Sequence, residues 1–474
     1  MLKVPPEVSV PWSDPRLRPA YLAMAVAGLL GILLLAHVMI NQDEYIYAGE
    51  ARMLLHGHLV AGPGAPLPGA AMQSSYEGPR YPPGWPLVLA LGALWNFRSM
   101  FLVAILAHLL GGAAMARMLV RRGLPSVLCA AWLFHPLFWS FSRTLMSDVP
   151  AVVLLLLAMD AWENGRNKAA AGFLGYGLFV RTASVISAIG FGLALGNDVR
   201  RRWRRLMGVV LGMGGGVLLI VLTNWVKNGH PFKSPYSSAA QSLITSDSLV
   251  GNAWIYGLAL LALPPFPLLC LLLRPRACDR WAWVALPVVA FFLFYGYRDQ
   301  SPRFLENLLG GQRLILAAHA ALLIATAEVW SRIPLIRFAP AILTVGVVAS
   351  LGHHFAIRHL ERRYGPAAQA VAACRPEQVL YNQYASRVAL STDAKSYYLV
   401  DEHPPVVSAD VAVLSLRQPT NKYETPNTFR IPAWLRSHSA DCQRHGDFYI
   451  FDLAGHCPRT GERCLFPTDQ EKQR

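Results

Sequence analysis

Charge is what this sequence has little of. Asp, Glu, Lys and Arg make up 15% of its 474 residues, where a soluble chain usually carries about a quarter. Acidic residues are the scarcer sign, 28 against 43 basic. No internal repeat and no low-complexity tract organises the chain, and none of its seven cysteines forms a Cys-x-x-Cys pair. The first apolar block has no small-residue cleavage site after it, which excludes a removed signal peptide and predicts a retained signal anchor behind Arg16 and Arg18.

What is present is apolar. Hydrophobic residues make up 54% of the chain, gathered in blocks rather than at amphipathic spacing. Blocks of roughly 17–25 such residues predict a polytopic helical membrane protein, because inside a bilayer each segment must satisfy its own backbone. The expected spans are 20–40, 100–119, 124–142, 149–163, 168–182, 184–197, 206–226, 251–273, 281–297, 312–330 and 338–358. About eleven crossings place the N-terminus inside and the C-terminus outside.

The net charge of +15 does not point to nucleic acid. The basic residues sit in short turns (ARMLVRRG, NGRNK, NDVRRRWRR, LRPRACDR, SRIPLIR), all on the cytoplasmic side of the expected topology. That is the positive-inside pattern, with anionic headgroups as the partner. RRRWRR, Arg200 to Arg205, is read as a solvated cytoplasmic loop.

Three outward segments are long. The first, 41–97, holds the acid pair Asp43-Glu44 directly after span one, a Gly/Pro-rich turn, and YPPGWPLVLALGALW. That last stretch is too short to cross and fits a half-embedded helix anchored by Trp85 and Trp95. The second, 227–250, contains NGHPFKSPYSSAAQ; the third, 298–313, is RDQSPRFLENLLGGQR. From about residue 359 the chain turns polar, with alternating runs QVLYNQY, SYYLV, DVAVLSL and DFYIFDL. They predict a small α/β or α+β domain over 359–474, outside the membrane, beside a membrane domain over 1–358. Cys374, Cys442, Cys457 and Cys464 all fall in it and are the disulfide candidates, with three connectivities open; a zinc site is the alternative. Cys129, Cys270 and Cys278 read as packing residues.

Ionisable groups avoid the middle of most spans and gather at outer ends: Asp43, Glu44, Asp148, Arg181, Arg298 and Arg303. An ion-coupled transporter would place them at the bilayer midplane. A carboxylate beside arginines at the membrane surface instead suits transfer from a lipid-linked sugar phosphate. Guanidinium forks stabilise the departing phosphate, and one carboxylate takes the acceptor's proton. The plain readings are an interfacial acid pair at Asp43-Glu44, snorkelling at Arg181, and interfacial polar residues at His56, His58, His353 and His354. Tyr81 and Trp85 read as interface anchors that also line the cavity.

Several motifs then resemble one family in order. DEYIYAGEARMLLHGHL resembles the first outer loop of the GT-C glycosyltransferases, in particular relatives of the protein O-mannosyltransferases and the lipid A aminoarabinose transferase. YPPGWPLVLA, SDVPAVVLLLLA, FVRTA, NWVKNGHPFKSPY and SPRFLENLL resemble that family's later signatures, over about 20–330. The resemblance implies a GT-C-like, all-α polytopic fold and inverting transfer from a polyprenyl-phosphate sugar to a glycan, lipid or protein acceptor in the cell envelope. It makes Asp43 the catalytic base, Glu44 its neighbouring acid, and Asp148 a second acid that positions the acceptor or a divalent metal. Arg181, Arg303 and Lys233 become the donor-phosphate candidates, with Tyr47 and Tyr81 on the substrate side. SPRFLENLLGGQR departs from the family by lacking its proline-rich continuation, which leaves the roles of Arg303 and Arg313 open. No cofactor is implied beyond a metal at Asp43 and Asp148. Composition suggests a bacterial inner membrane, with the active site on the periplasmic side. A flippase, a polymerase or ligase of lipid-linked glycans, and a noncatalytic scaffold remain as rival readings.

Overall fold

The computed structural model describes residues 9–35, 42–55, 57, 81–196, 199–232, 244–296, 311–332, 352, 355, 359, 362–382, 385, 388–389, 395–398, 409–415 and 431–464. Arg303, Lys233 and, apart from residues 352 and 355, the span expected over 338–358 lie outside them. The described residues are mostly helical with one small sheet, and the chain divides into two compact units. One comprises residues 1–35, 80–88 and 101–354; the other comprises 36–79, 89–100 and 355–474.

The first unit is a helical bundle. Helix α1, Arg18–Leu33, follows a 3-10 turn whose Asp14 side chain caps the chain through the Arg16 amide. It turns Ala27, Gly28 and Gly31 inward and leaves Leu22, Leu29, Ile32 and Leu33 exposed. Its glycines let it close on Ile105 and Leu109. Numbering in chain order, α2 is Gln42–Leu55 (second unit), α3 Gly84–Ala93, α4 Phe97–Arg121, α5 Ala130–Leu133, α6 Pro136–Phe141, α7 Asp148–Glu163, α8 Asn167–Val180, α9 Ser184–Leu195, α10 Val199–Asn228, α11 Leu249–Ala262, α12 Pro267–Leu273, α13 Ala282–Leu293, and α14 Leu316–Ala325.

Among the described residues, three stretches are long and apolar enough to cross a membrane: Pro15–Leu33, Phe97–Arg121 and Leu206–Lys227. A fourth counts if the bent pair Ser246–Ala262 and Pro267–Leu273 is one span. Two expected spans are interrupted. The one over 251–273 bends by 82° at Pro264-Pro265, where two residues without an amide hydrogen end the ladder. The one over 124–142 splits into a 3-10 turn, α5 and α6, because Pro136 forces His135 into an extended conformation. The His135 Nδ1 then accepts from the Leu137 amide as the cap of α6.

Small residues join α8 to α10. A Cβ built on Gly175, Gly212 or Gly216 would strike the facing backbone, so Ala171-x-x-x-Gly175 and Gly212-x-x-x-Gly216 allow a backbone-to-backbone approach.

At the end of the bundle opposite Asp148, Arg117 and Arg121 are buried and Arg122 is partly buried, and all three arginines of ARMLVRRG pair with carboxylates of the bundle. Arg117 reaches Asp160 at 2.7 Å, and Arg121 pairs with Asp160 and, at 3.0 Å, with Glu163. Arg122 bridges Glu163 at 2.7 Å and Asp279 at 2.6 Å, and the Trp281 indole donates to Glu163 at 2.7 Å. Facing carboxylates on α7 and the turn before α13 offset the cost of burying these cations.

In the second unit, α2 presents Glu44, Ile46, Tyr47, Ala48 and Glu50 as buried residues, while Asp43 in its first turn is partly exposed. A helix over 362–373 precedes a six-stranded sheet of order β2-β1-β3-β5-β4-β6. The strands are β1 Gln378–Tyr381, β2 Lys395–Tyr398, β3 Val411–Ser415, β4 Cys442–His445, β5 Phe448–Asp452 and β6 Glu462–Arg463. Strands β1, β2 and β3 run parallel; β5, β4 and β6 join them antiparallel. Alternation sends Val411, Val413, Phe448 and Ile450 to one core and Ala412, Leu414, Tyr449 and Phe451 to the other. Each of the four alternating runs in the sequence carries one of these strands. Disulfides join Cys374 to Cys457 and Cys442 to Cys464.

Candidate active site

The candidate site lies at one end of the first unit, where several helix ends meet. Helix α7 begins at Asp148, behind Ser147, and Pro150 in its first turn lacks the amide hydrogen that no helical partner would accept there. The Asp148 carboxylate sits at the positive end of the helix dipole. Arg181 terminates α8: its amide closes the last bond to the Gly177 carbonyl, and its own carbonyl accepts the Ser184 amide that opens α9. The extended backbone at Arg181 (φ −153°) carries the side chain back across the N-terminus of α7.

There the guanidinium Nη1 lies 3.0 Å from Asp148 Oδ1 and 3.4 Å from the Ser147 hydroxyl. The Asp148 side chain is 1% exposed and that of Arg181 24%. The acid is sealed in while the base reaches an opening. Beside the pair is a cavity of about 360 Å³, counting its open mouth. Asp148, Arg181 and Arg313 are its charged walls, Ser184 and Ser187 add hydroxyls one turn apart, and Val152, Val288, Phe292 and Leu316 supply apolar surface. Two cations and one carboxylate suit an anion with an apolar body.

Of the residues singled out from sequence, Asp148 and Arg181 come together here, and Arg313, left open by the motif reading, joins them. Tyr81 is not in the cavity wall; its carbonyl accepts from Lys227 Nζ at 2.8 Å. Trp85, expected as an interface anchor, is buried and donates to the Leu145 carbonyl at 2.7 Å. Trp95 is largely exposed. Ser147, Ser184 and Ser187 carry no motif of their own in the sequence. The only signal for them was their place beside Asp148 and, for the latter two, the three-residue spacing on α9.

The fold has solved counterparts. Crystal structures of ArnT from Cupriavidus metallidurans, bound to undecaprenyl phosphate and in the apo state, match with TM-scores of 0.59 and 0.57 at 14% identity. Each match covers 93% of this chain and 99% of the other. The fold is ArnT-like. At 14% identity the likeness is one of fold. No family model and no curated protein sequence matches the chain.

Asp43 and Glu44 occupy the first turn of α2 in the second unit, where α2 also carries Tyr47 on its buried side and Arg52 stacks over the Phe97 ring at 5.7 Å. Among the described residues no group of three or more His, Cys, Asp or Glu is placed to hold a metal. A divalent ion at Asp148 would share the carboxylate with the Arg181 guanidinium, which disfavours a second cation.

Proposed function

We propose that this protein is an integral-membrane glycosyltransferase that moves a sugar from a polyprenyl phosphate to a cell-envelope acceptor. The observation that carries this reading is the pairing of the buried Asp148 with Arg181, and Arg313 beside them, around one cavity, within an ArnT-like fold. In the transfer, an acceptor hydroxyl or amine attacks the anomeric carbon from the face opposite the phosphate, inverting it. The anomeric carbon–oxygen bond breaks, polyprenyl phosphate departs, and the acceptor's proton passes to a carboxylate. Asp43 is that base, and Glu44 is its neighbouring acid. Arg181 and Arg313 hold the growing negative charge on the phosphate, where a preorganised guanidinium needs no reorientation as charge develops; Arg303 and Lys233 are further donor-side candidates. Asp148 fixes Arg181 and faces the acceptor side, and Tyr47 and Tyr81 stay as substrate-side candidates.

The reading includes about eleven crossings in a bacterial inner membrane. It puts the cavity and the domain over 359–474 on the periplasmic side. The buried arginine network and the Asp148 cavity at opposite ends of α7 support a helix that runs from one membrane face to the other.

Mass spectrometry of surface glycans and lipid A from a deletion strain, complemented with wild-type or Asp43→Asn protein, tests the function. Deletion should remove one modification that wild-type protein restores and Asp43→Asn does not. Restoration by Asp43→Asn would favour a flippase, which needs no base.

A further inference from the structure

Arg313 belongs to a short 3-10 segment, Gly311–Ile315, inserted ahead of α14. With three residues per turn, successive side chains of such a segment point about 120° apart, and residues i and i+3 eclipse. Gln312 and Ile315 are that eclipsed pair and both are fully buried. Arg313 and Leu314 occupy the other two directions and line the cavity. Whatever fixes the rotation of Gln312 about the segment axis therefore fixes the direction in which Arg313 leaves it.

Gln312 is held at both ends of its amide. Its Nε2 donates to the Ile255 carbonyl on α11 at 3.2 Å, and its Oε1 lies 3.2 Å from His319 Nε2 on α14. The carbonyl of Ile255 can only accept, so the amide nitrogen must face it and the amide oxygen must face the histidine. The His319 Nε2 must then carry the hydrogen. The imidazole is itself backed by the His135 ring, edge-on at 5.9 Å. A buried glutamine with a determined orientation, clamped between two helices, is costly to form and is not needed for packing alone, since an apolar residue of that size would fill the space.

We propose that Gln312, oriented by His319, is the positioning residue that aims Arg313 at the anionic ligand of the cavity. The inference rests on the reading of Arg313 as a phosphate contact and adds the device that preorganises it. Replacing Gln312 by Leu keeps the bulk and frees the 3-10 segment to rotate, so Arg313 loses its fixed aim without losing its charge.

The experiment is direct binding of undecaprenyl phosphate to the purified full-length protein, measured for Arg313→Ala, Gln312→Leu, the double variant, His319→Leu and His319→Gln. Gln312→Leu and His319→Leu should each weaken binding about tenfold, the worth of one net hydrogen bond. His319→Gln keeps an N–H donor toward Oε1 and should bind nearly as the wild type does. In the Arg313→Ala background, Gln312→Leu should cost nothing more, because the residue it aims is gone. Equal weakening by Gln312→Leu in both backgrounds, or failure of His319→Gln to rescue, overturns the positioning role while the phosphate role of Arg313 stands. Wild-type binding by Arg313→Ala overturns both.

Discussion

Glu163→Gln isolates the buried charge network with almost no change in volume. In the folded protein the Glu163 carboxylate accepts from Arg121 Nε at 3.0 Å, from Arg122 Nη2 at 2.7 Å and Nη1 at 3.1 Å, and from the Trp281 indole at 2.7 Å. Its side chain is 1% exposed, so no water takes over those donors. The substitution leaves Arg117, Arg121 and Arg122 facing Asp160 and Asp279 alone: three positive charges against two. It also turns an amide N–H₂ toward guanidinium N–H groups. Removing one partner from a buried ion pair costs about 3–5 kcal/mol. The Arg363–Asp447 pair is the internal control: at 2.8 Å its contact is as short, but its side chains are 28% and 44% exposed, and such pairs contribute about 0–1 kcal/mol. Thermal unfolding in detergent, followed by tryptophan fluorescence, should show a fall of many degrees for Glu163→Gln and almost none for Asp447→Asn. If the two variants unfold together near the wild type, the network is not balanced as described and the argument fails.

Asp43→Asn should lower transfer by at least about 10², the worth of a positioned base, with normal membrane insertion; turnover near that of the wild type removes Asp43 from the chemistry. Arg181→Lys keeps the charge but loses the planar fork, so donor saturation should weaken at fixed acceptor; a change confined to acceptor affinity would refute the phosphate role. The Cys374–Cys457 and Cys442–Cys464 bridges span 83 and 22 residues, which on chain entropy are worth about 4.5 and about 3.4 kcal/mol. Cys374→Ser should therefore destabilise the sheet more than Cys464→Ser in hydrogen exchange, and the reverse order would contradict that account. Burial lowers the His445 pKa below its ordinary 6.5, and its Nε2 has no hydrogen-bond partner among the described residues. The unfolded chain then takes up a proton before the folded one does. Stability present above pH 6.5 should fall as pH drops toward the lowered value, and His445→Gln should flatten that dependence in exchange rates measured across this range.

The parts legible in sequence are those with local signatures. Period-two alternation marked β1, β2, β3 and β5, whereas β4 and β6, with Gln443, Arg444 and Glu462 among their six residues, had no such pattern; β4 forms by pairing onto β5 and β6 by pairing onto β4. Asp148 and Arg181 could be singled out because each stands alone in an apolar stretch at a helix end. The fate of Arg117, Arg121 and Arg122 was not legible. An arginine-rich turn looks the same whether it meets water or three carboxylates, and those carboxylates come from positions 39 to 157 residues away. The break of the 124–142 span followed from one proline inside an otherwise suitable block. Nothing local revealed that Gln312 is buried.

Helix α7 carries Asp148 at its first position and Glu163 at its last, 15 residues on, roughly 22 Å apart at a rise of 1.5 Å per residue. Its far end is clamped through Asp160 and Glu163 by three arginines and an indole, and its near end holds the carboxylate that fixes Arg181. Mechanically this is a lever with a bolted foot. A swing of about 5° at the foot would displace the tip by about 2 Å, and a misplacement of 1 Å at a reacting centre can cost about 10² in rate. Loosening the foot is thus a way to slow chemistry without touching any group that meets substrate. Activity lost by a Glu163 variant would measure alignment, and the same variant's stability would measure cohesion.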